Sequence, residues 1–215
     1  MSTVSVVIVN HNTRDLLRDC LRSVAADPDG SEVVVVDNGS SDGSGEMARA
    51  EFPGVRVIEN GSNLGFSKGN NAGIRATSSP YVLLLNSDAR LRPGALRSMI
   101  SFMQSHPEAG IVGPQLLNSD GSLQLSCGIS PTVWTEVCNK LLLHVPFPFF
   151  KMGSWAHDQA REVGWVSGAC LLARRAMLDR IDLLDEGMFM YFEDLDLCFR
   201  ARGAGWKVCY VPDGQ

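Results

Sequence analysis

The 215-residue chain has no apolar run approaching the roughly 20 residues that a membrane-spanning helix needs. Its longest apolar patch, Leu141 to Phe150, is interrupted by Pro146 and Pro148. Met1 to Asn10 lacks the basic start and long apolar stretch of a secretory signal. The six cysteines (Cys20, Cys127, Cys138, Cys170, Cys198 and Cys209) include no Cys-x-x-Cys pair, and none joins a histidine at zinc spacing. Several stand among apolar neighbours, where cysteine packs as a small hydrophobe. These absences point to a reducing, cytoplasmic setting. A Lys/Arg stripe is missing too: 19 basic against 24 acidic residues leave a net charge of -5. Such a chain is a poor candidate for gripping a nucleic-acid backbone. If it takes a phosphate-bearing ligand, a bound divalent cation would offset the repulsion. No repeat or low-complexity tract divides it.

What is present is an alternation of strand and helix signals. Val4 to Val9 is a β-branched run followed by Asn10-His11-Asn12-Thr13. Leu16, Leu17, Cys20, Leu21 and Val24 then share a helix face, with Asn12 or Thr13 as its cap. Val33 to Val36 reads as a strand buried on both sides, ending in the turn-rich Asp37-Asn38-Gly39-Ser40-Ser41-Asp42-Gly43. Val55 to Ile58 is a third strand, and Gly61 to Ala76 holds a glycine-rich turn and a helix. Tyr81 to Leu85 is a fourth strand, ending at Asn86-Ser87-Asp88. Pro93 suits the first turn of a helix carrying Leu96, Met99, Ile100 and Met103. This order predicts an α/β fold: a mostly parallel sheet with helices on both faces. Right-handed crossovers place the strands' C-terminal ends along one edge, where open α/β sheets bind ligands. The three polar clusters all fall there.

The second half is less regular. Asn118 to Gly121 is a turn between two short antiparallel strands, and residues 127–162 show little periodicity. Val163 to Ala173 reads as a strand with a small-residue step at Ser167-Gly168-Ala169. Phe192 to Ala204 reads as a helix and Lys207 to Val211 as a last strand.

Each candidate residue admits two readings. Asp37 is either an acceptor for a ribose or base, or the carboxylate of an Asx turn. Asp88, just past a buried strand, is placed to hold Mg²⁺ or Mn²⁺ over a diphosphate, or to cap the next segment. Asn63 to Gly73 is either a phosphate-approaching loop or a helix start with small packing residues. Glu193-Asp194-x-Asp196 is the sharpest cluster. Like charges this close raise one another's pKa and suit proton abstraction, whereas acids at a helix start need no catalysis. The apolar Met188 to Phe192 before it suggests a cleft wall. Trp165 to Gly168 either lines an acceptor pocket or belongs to the core. His11 alone is weak evidence for a metal or base site.

Taken in order, Val4 to Asn12, Val35 to Gly43, Asn63-Leu64-Gly65-Phe66, Leu84 to Asp88 and Phe192 to Asp196 resemble family 2 of the inverting glycosyltransferases, in its rhamnosyltransferase-like branch. The resemblance implies a GT-A fold in a single domain, 1–215. A nucleotide-sugar-binding half would span 1–115 and an acceptor-binding, catalytic half 116–215. It implies that Asn10, His11, Asn12, Asp37 and Asn38 hold the nucleotide, with Asn63, Gly65, Lys68, Asn71, Asn86 and Ser87 near the donor. Asp88 would be the metal ligand, Asp194 the general base and Glu193 its neighbour orienting the acceptor. Trp165, Gly168 and Asp196 would contact that acceptor. The expected reaction moves a sugar from a nucleoside-diphosphate sugar to a hydroxyl of a glycan or lipid-linked acceptor. Leu141 to Phe150 is a candidate for peripheral contact at the inner membrane face. Two departures stand out. Asn86 replaces the first acid of the usual Asp-x-Asp metal motif, and relatives usually continue past the last strand. Competing expectations are a non-catalytic sugar-nucleotide-binding module and a nucleotidyltransferase. The latter is disfavoured because Asn10 to Arg14 lacks a glycine-rich, basic character.

Overall fold

Val4, Val6, Val7 and Ile8 are completely buried, because strand β1 (Val4–Asn10) runs through the middle of a sheet covered on both faces. The computed structural model describes residues 3–26, 31–128 and 156–212. After β1 come α1 (Arg14–Ala25), β2 (Glu32–Asp37), α2 (Ser44–Glu51), β3 (Val55–Glu59), α3 (Phe66–Arg75), β4 (Tyr81–Asn86), α4 (Ala95–Ser105) and β5 (Ala109–Pro114). Five two-residue strands follow: β6 (Leu116–Leu117), β7 (Leu123–Gln124), β8 (Cys127–Gly128), β9 (Arg161–Glu162) and β10 (Trp165–Val166). The described chain ends with β11 (Cys170–Arg174), α5 (Arg175–Arg180), α6 (Glu193–Gly203) and β12 (Lys207–Val211).

The main sheet has the order β3-β2-β1-β4-β11-β5-β12-β9. The pairs β1–β2, β1–β4, β2–β3 and β5–β12 are parallel. β11 is antiparallel to both β4 and β5, so its first residues, not its last, reach the rim where β4 ends. Strand order reverses at β1, with β2 on one side and β4 on the other, which opens a crevice at their C-terminal ends.

The two halves share one core. On one face Val6, Ile8, Leu17, Met47 and Leu96 pack with Leu172 and Val211. On the other, Val7 and Ile74 pack with Leu178, Leu197 and Tyr210. Each such side chain contributes roughly 1.5–3 kcal/mol on burial. Helix α3 lies unusually close to the sheet: a Cβ on Gly73 would stand 2.3 Å from Val7 Cγ1, and one on Gly69 2.8 Å from Val9 Cγ1. Glycine costs about 1 kcal/mol per helical position, so its use here reflects that close approach.

Several local expectations are corrected. Helix α1 buries Leu17, Cys20, Leu21 and Val24, while Leu16 lies off that stripe and is 46% exposed. Neither Asn12 nor Thr13 caps α1 by its side chain; instead the Arg14 N–H donates to Asp42 Oδ2 (2.9 Å). Pro93 precedes α4, whose N-cap is Gly94 at φ +85°. The strand expected from Val163 to Ala173 is two strands in different sheets, parted at Ser167–Ala169. The hairpin around Asn118 to Gly121 is as expected, with β6 antiparallel to β7. Leu141 to Phe150 and Cys138 lie outside the described residues. Among the described residues no helix is long and apolar enough to cross a membrane.

Candidate active site

Three strand ends meet at the rim. Asn10 stands beside Asp37 in the β1–β2 register, and Val9 beside Asn86 in the β1–β4 register. Thr13 Oγ1 donates to Asn10 Oδ1 (2.6 Å) and lies 2.8 Å from Ser87 Oγ, tying the β1 loop to the β4 end. Asn10 Nδ2 donates to Ser40 Oγ (3.0 Å), and Ser40 Oγ also accepts the Asn12 N–H. Asn12, at φ +55°, accepts the Ser41 N–H on its Oδ1. His11 Nδ1 donates to the Asn38 carbonyl (3.0 Å). Asp37 Oδ1 accepts the Ser40 N–H (2.8 Å), three residues on, so the carboxylate serves the turn after β2, and the residue is 6% exposed. Thr13, Ser40 and Asp42 carry this network, although none of them is a site residue expected from the sequence. All three lie within the polar clusters after β1 and β2.

Asn38 is a hub. Its Nδ2 donates to Asn63 Oδ1 (2.9 Å) and the Gly65 carbonyl (3.1 Å), while its Oδ1 accepts from Asn60 Nδ2 and the Leu64 N–H. Asn38, Asn63 and Gly65 therefore shape the loop that leads into α3. Lys68 is exposed one turn into that helix. Asn71 is put to another use: its amide holds the Leu184 backbone in both directions (2.9 and 3.1 Å) and Glu186 Oε1 (3.0 Å).

Asp88 is exposed just beyond β4 and lines a groove of about 720 Å³ with Asn86, Ala169 and the β6–β7 hairpin. Among the described residues no three His, Cys, Asp or Glu side chains cluster to hold a metal. One carboxylate suits a hard ion such as Mg²⁺ or Mn²⁺ that takes its remaining oxygens from phosphate and water.

The Ser167–Ala169 step connects this groove to Asp194. The Asn86 N–H donates to the Ala169 carbonyl (2.9 Å), and the Gly168 N–H donates to Asp194 Oδ2 (3.0 Å). Asp194 Oδ1 accepts the Leu195 N–H (2.8 Å). Asp194 and Asn86, two residues before Asp88, are thus tied to the neighbouring residues Gly168 and Ala169. A Cβ on Gly168 would lie 3.5 Å from Asp194 Cβ and 3.6 Å from the Phe66 ring. Glu193 is only 7% exposed, and its Oε2 has no hydrogen-bond partner among the described residues. Burial, reinforced by the neighbouring Asp194 charge, pushes its carboxyl above the usual range.

Asp196 and Trp165 already have partners within the protein. Asp196 Oδ2 accepts from Arg200 Nε (2.6 Å), and Arg200 also donates to the Ile181 and Leu183 carbonyls. That pair braces the loop before α6, as i,i+4 pairs do. Trp165 pairs with Gly128 across β10–β8 and packs half-buried against the second core cluster. The stretch before α6 is an open surface and not a cleft wall: Phe189, Met190, Tyr191 and Phe192 are 53–75% exposed. Tyr191 and Phe192 hold left-handed backbone (φ +69° and +67°). Burial raises the Cys20, Cys170 and Cys198 thiols to about 12, so none is a nucleophile near neutral pH.

Against known proteins, residues 5–180 match glycosyl transferase family 2. The N-acetylglucosaminyl-diphospho-decaprenol L-rhamnosyltransferase of Mycobacterium tuberculosis is 31% identical over 202 residues, covering 85% of this chain and 64% of that protein. Rhamnosyltransferase WbbL of Escherichia coli is 26% identical over 216 residues, covering 97% of this chain and 80% of WbbL. The mannosyltransferase PcManGT of Pyrobaculum calidifontis, solved with GDP-Man and Mn²⁺, superposes with a TM-score of 0.70 at 19% identity, over 99% of this chain and 55% of that one. The sheet order and the structural likeness give the GT-A fold. On the family match over most of its length, the chain belongs to glycosyl transferase family 2.

Proposed function

We propose that this chain carries the catalytic domain of an inverting glycosyltransferase, moving a sugar from a nucleoside-diphosphate sugar to a hydroxyl of a glycan or lipid-linked acceptor. The observation that carries the reading is the Gly168–Ala169 step, which holds Asp194 on one side and the Asp88-bearing end of β4 on the other. The base and ribose sit in the crevice at Asn10, His11 and Asp37, with Asn38 and Asn63 holding its loop. Asp88 faces the diphosphate, and Mg²⁺ or Mn²⁺ held there supplies charge neutralisation for the leaving group. Asp194 takes the proton from the acceptor hydroxyl. The oxygen then attacks the anomeric carbon as the bond to the diphosphate breaks, so configuration inverts. The fixed N–H donors from Gly168 and Leu195 hold the carboxylate in one orientation before the acceptor arrives. The mycobacterial relative's name, which carries a diphospho-decaprenol, supports a lipid-linked acceptor. Manganese fits because the GDP-Man complex of similar fold contains it.

The test is release of nucleoside diphosphate from a panel of sugar nucleotides with Mn²⁺ and candidate acceptors, with the product's anomeric configuration read by NMR. Inverted product supports the reading. Binding of a sugar nucleotide without turnover, in the chain extended to its relatives' full length, would favour a binding module instead.

A further inference from the structure

Helix α3 leaves the crevice loop and grips the segment that leads to Asp194. At its start the Gly65 carbonyl accepts from Asn38 Nδ2 (3.1 Å). The next residue, Phe66, donates its N–H to the Phe189 carbonyl (2.7 Å), five residues before Asp194. That contact depends on glycine at 65. At φ +87°, a Cβ there would stand 2.6 Å from Phe189 O and 2.8 Å from Phe189 Cδ2. Further along α3, Asn71 holds the Leu184 backbone and Arg75 pairs with Glu186 (2.8 Å), so the helix grips residues 184–189 at both ends. The Phe66 side chain has a second contact. Half-buried against the cluster that contains Val166 and Leu197, its ring reaches the glycine whose N–H anchors Asp194. A Cβ on Gly168 would lie 3.6 and 3.7 Å from Phe66 Cε1 and Cζ, and 3.5 Å from Asp194 Cβ. The bare Gly168 is therefore bordered by the ring and by the base together.

Resting on the glycosyltransferase reading, we propose that Phe66 is a positioning residue for Asp194, its backbone bracing the segment before the base and its ring fixing the Gly168 peptide that orients the carboxylate. Close packing leaves the Gly168 N–H no room to turn away from Asp194 Oδ2. Take the ring away and the Ser167–Ala169 step gains space, so the carboxylate loses its fixed orientation. Misplacing a catalytic group by about 1 Å can cost about a hundredfold in rate. Phe66 also follows Gly65 directly, so a continuous chain of contacts runs from Asn38 in the crevice through Gly65, Phe66 and Gly168 to Asp194. The donor side and the base are thereby held in one frame. A ring that only filled the core would lower stability and would affect every step alike, which separates the two roles.

Phe66→Ala is assayed on the sugar nucleotide and acceptor that the unaltered chain turns over. We expect kcat to fall by about tenfold to a hundredfold, while the Kd of UDP, GDP or dTDP with Mn²⁺ stays within about twofold. The same substitution in Asp194→Asn should cost less than about twofold, because a residue acting through the carboxylate then has nothing left to position. In hydrogen exchange the Gly168 and Leu195 amides should open about fivefold more readily, the worth of one hydrogen bond, while the β1 amides stay protected. Phe66→Leu keeps most of the apolar volume and guards against a misfolded alanine variant; it should lose part of kcat with Tm nearly unchanged. Undiminished kcat in either variant overturns the proposal. So does an equal loss with and without the Asp194 carboxylate, which would mark the ring as core filling alone. Weakened nucleotide binding overturns it too, by assigning the ring to the donor. Failure of the glycosyltransferase reading shows separately, as no affinity of the unaltered chain for any nucleoside diphosphate.

Discussion

Replacing Asp194 by Asn separates catalysis from architecture, and its two effects have different sizes. The carboxylate accepts one N–H on each oxygen, from Gly168 at 3.0 Å and Leu195 at 2.8 Å. An amide has one acceptor oxygen, so one of these bonds is lost. A net hydrogen bond is worth about 1 kcal/mol, which in a domain of this size lowers Tm by about 2–4 °C. The chemical loss is larger, because an amide cannot take a proton from the acceptor. General-base catalysis contributes about 10²- to 10⁴-fold, or roughly 2.7–5.4 kcal/mol of barrier. The assay pairs single-turnover release of nucleoside diphosphate with calorimetric donor binding and a melting curve. We expect turnover to fall by at least a hundredfold, nucleotide Kd to stay within twofold, and Tm to drop by only a few degrees. Turnover within tenfold of the unaltered chain would refute the role. A parallel loss of nucleotide affinity would instead place Asp194 at the donor.

Asn38→Ala removes four hydrogen bonds from a side chain in a 2% exposed residue, and should cost about 2–4 kcal/mol and weaken nucleotide binding, read by chemical denaturation and calorimetry. Gly73→Ala should lower stability by about 1–3 kcal/mol despite alanine's better helix propensity, because the new Cβ meets Val7; an unchanged Tm would contradict the packing. Glu193 has a raised folded pKa, so its contribution is fully present below the unfolded value of 4.5 and is lost as pH rises through the folded one. Glu193→Gln should therefore melt higher than the unaltered chain at pH 7, with the difference vanishing by about pH 4.

The rim was legible in the sequence because each strand ends in its own polar cluster. Asn10 and Asp37 end mostly apolar strands, Asp88 lies two residues past a third, and the parallel register aligns Asn10 with Asp37 and Val9 with Asn86. Whatever depends on distant partners was not legible. Asn71 belongs to a glycine- and asparagine-rich stretch that suggests a phosphate, yet it lies within α3 and its amide is taken by Leu184, 113 residues away. The antiparallel entry of β11 between β4 and β5 joins segments far apart in the chain, and it delivers Gly168 to Asp194. Asp196 was readable otherwise: Arg200 lies four residues on, the spacing of a helical ion pair. The exposure of Tyr191 and Phe192 was not legible, since apolar residues argue for burial and nothing in the run's composition marks it as exposed.

The partition of labour between Asp88 and Asp194 is tested most directly by ligand-induced stabilisation. Nucleoside diphosphate at about 100 times its Kd adds about 2.7 kcal/mol, hence a Tm rise of about 5–11 °C. With Mn²⁺ present, that rise is expected in the unaltered chain and in Asp194→Asn, and should largely disappear in Asp88→Asn. A full rise in Asp88→Asn, or none with any nucleoside diphosphate in the unaltered chain, would contradict the account.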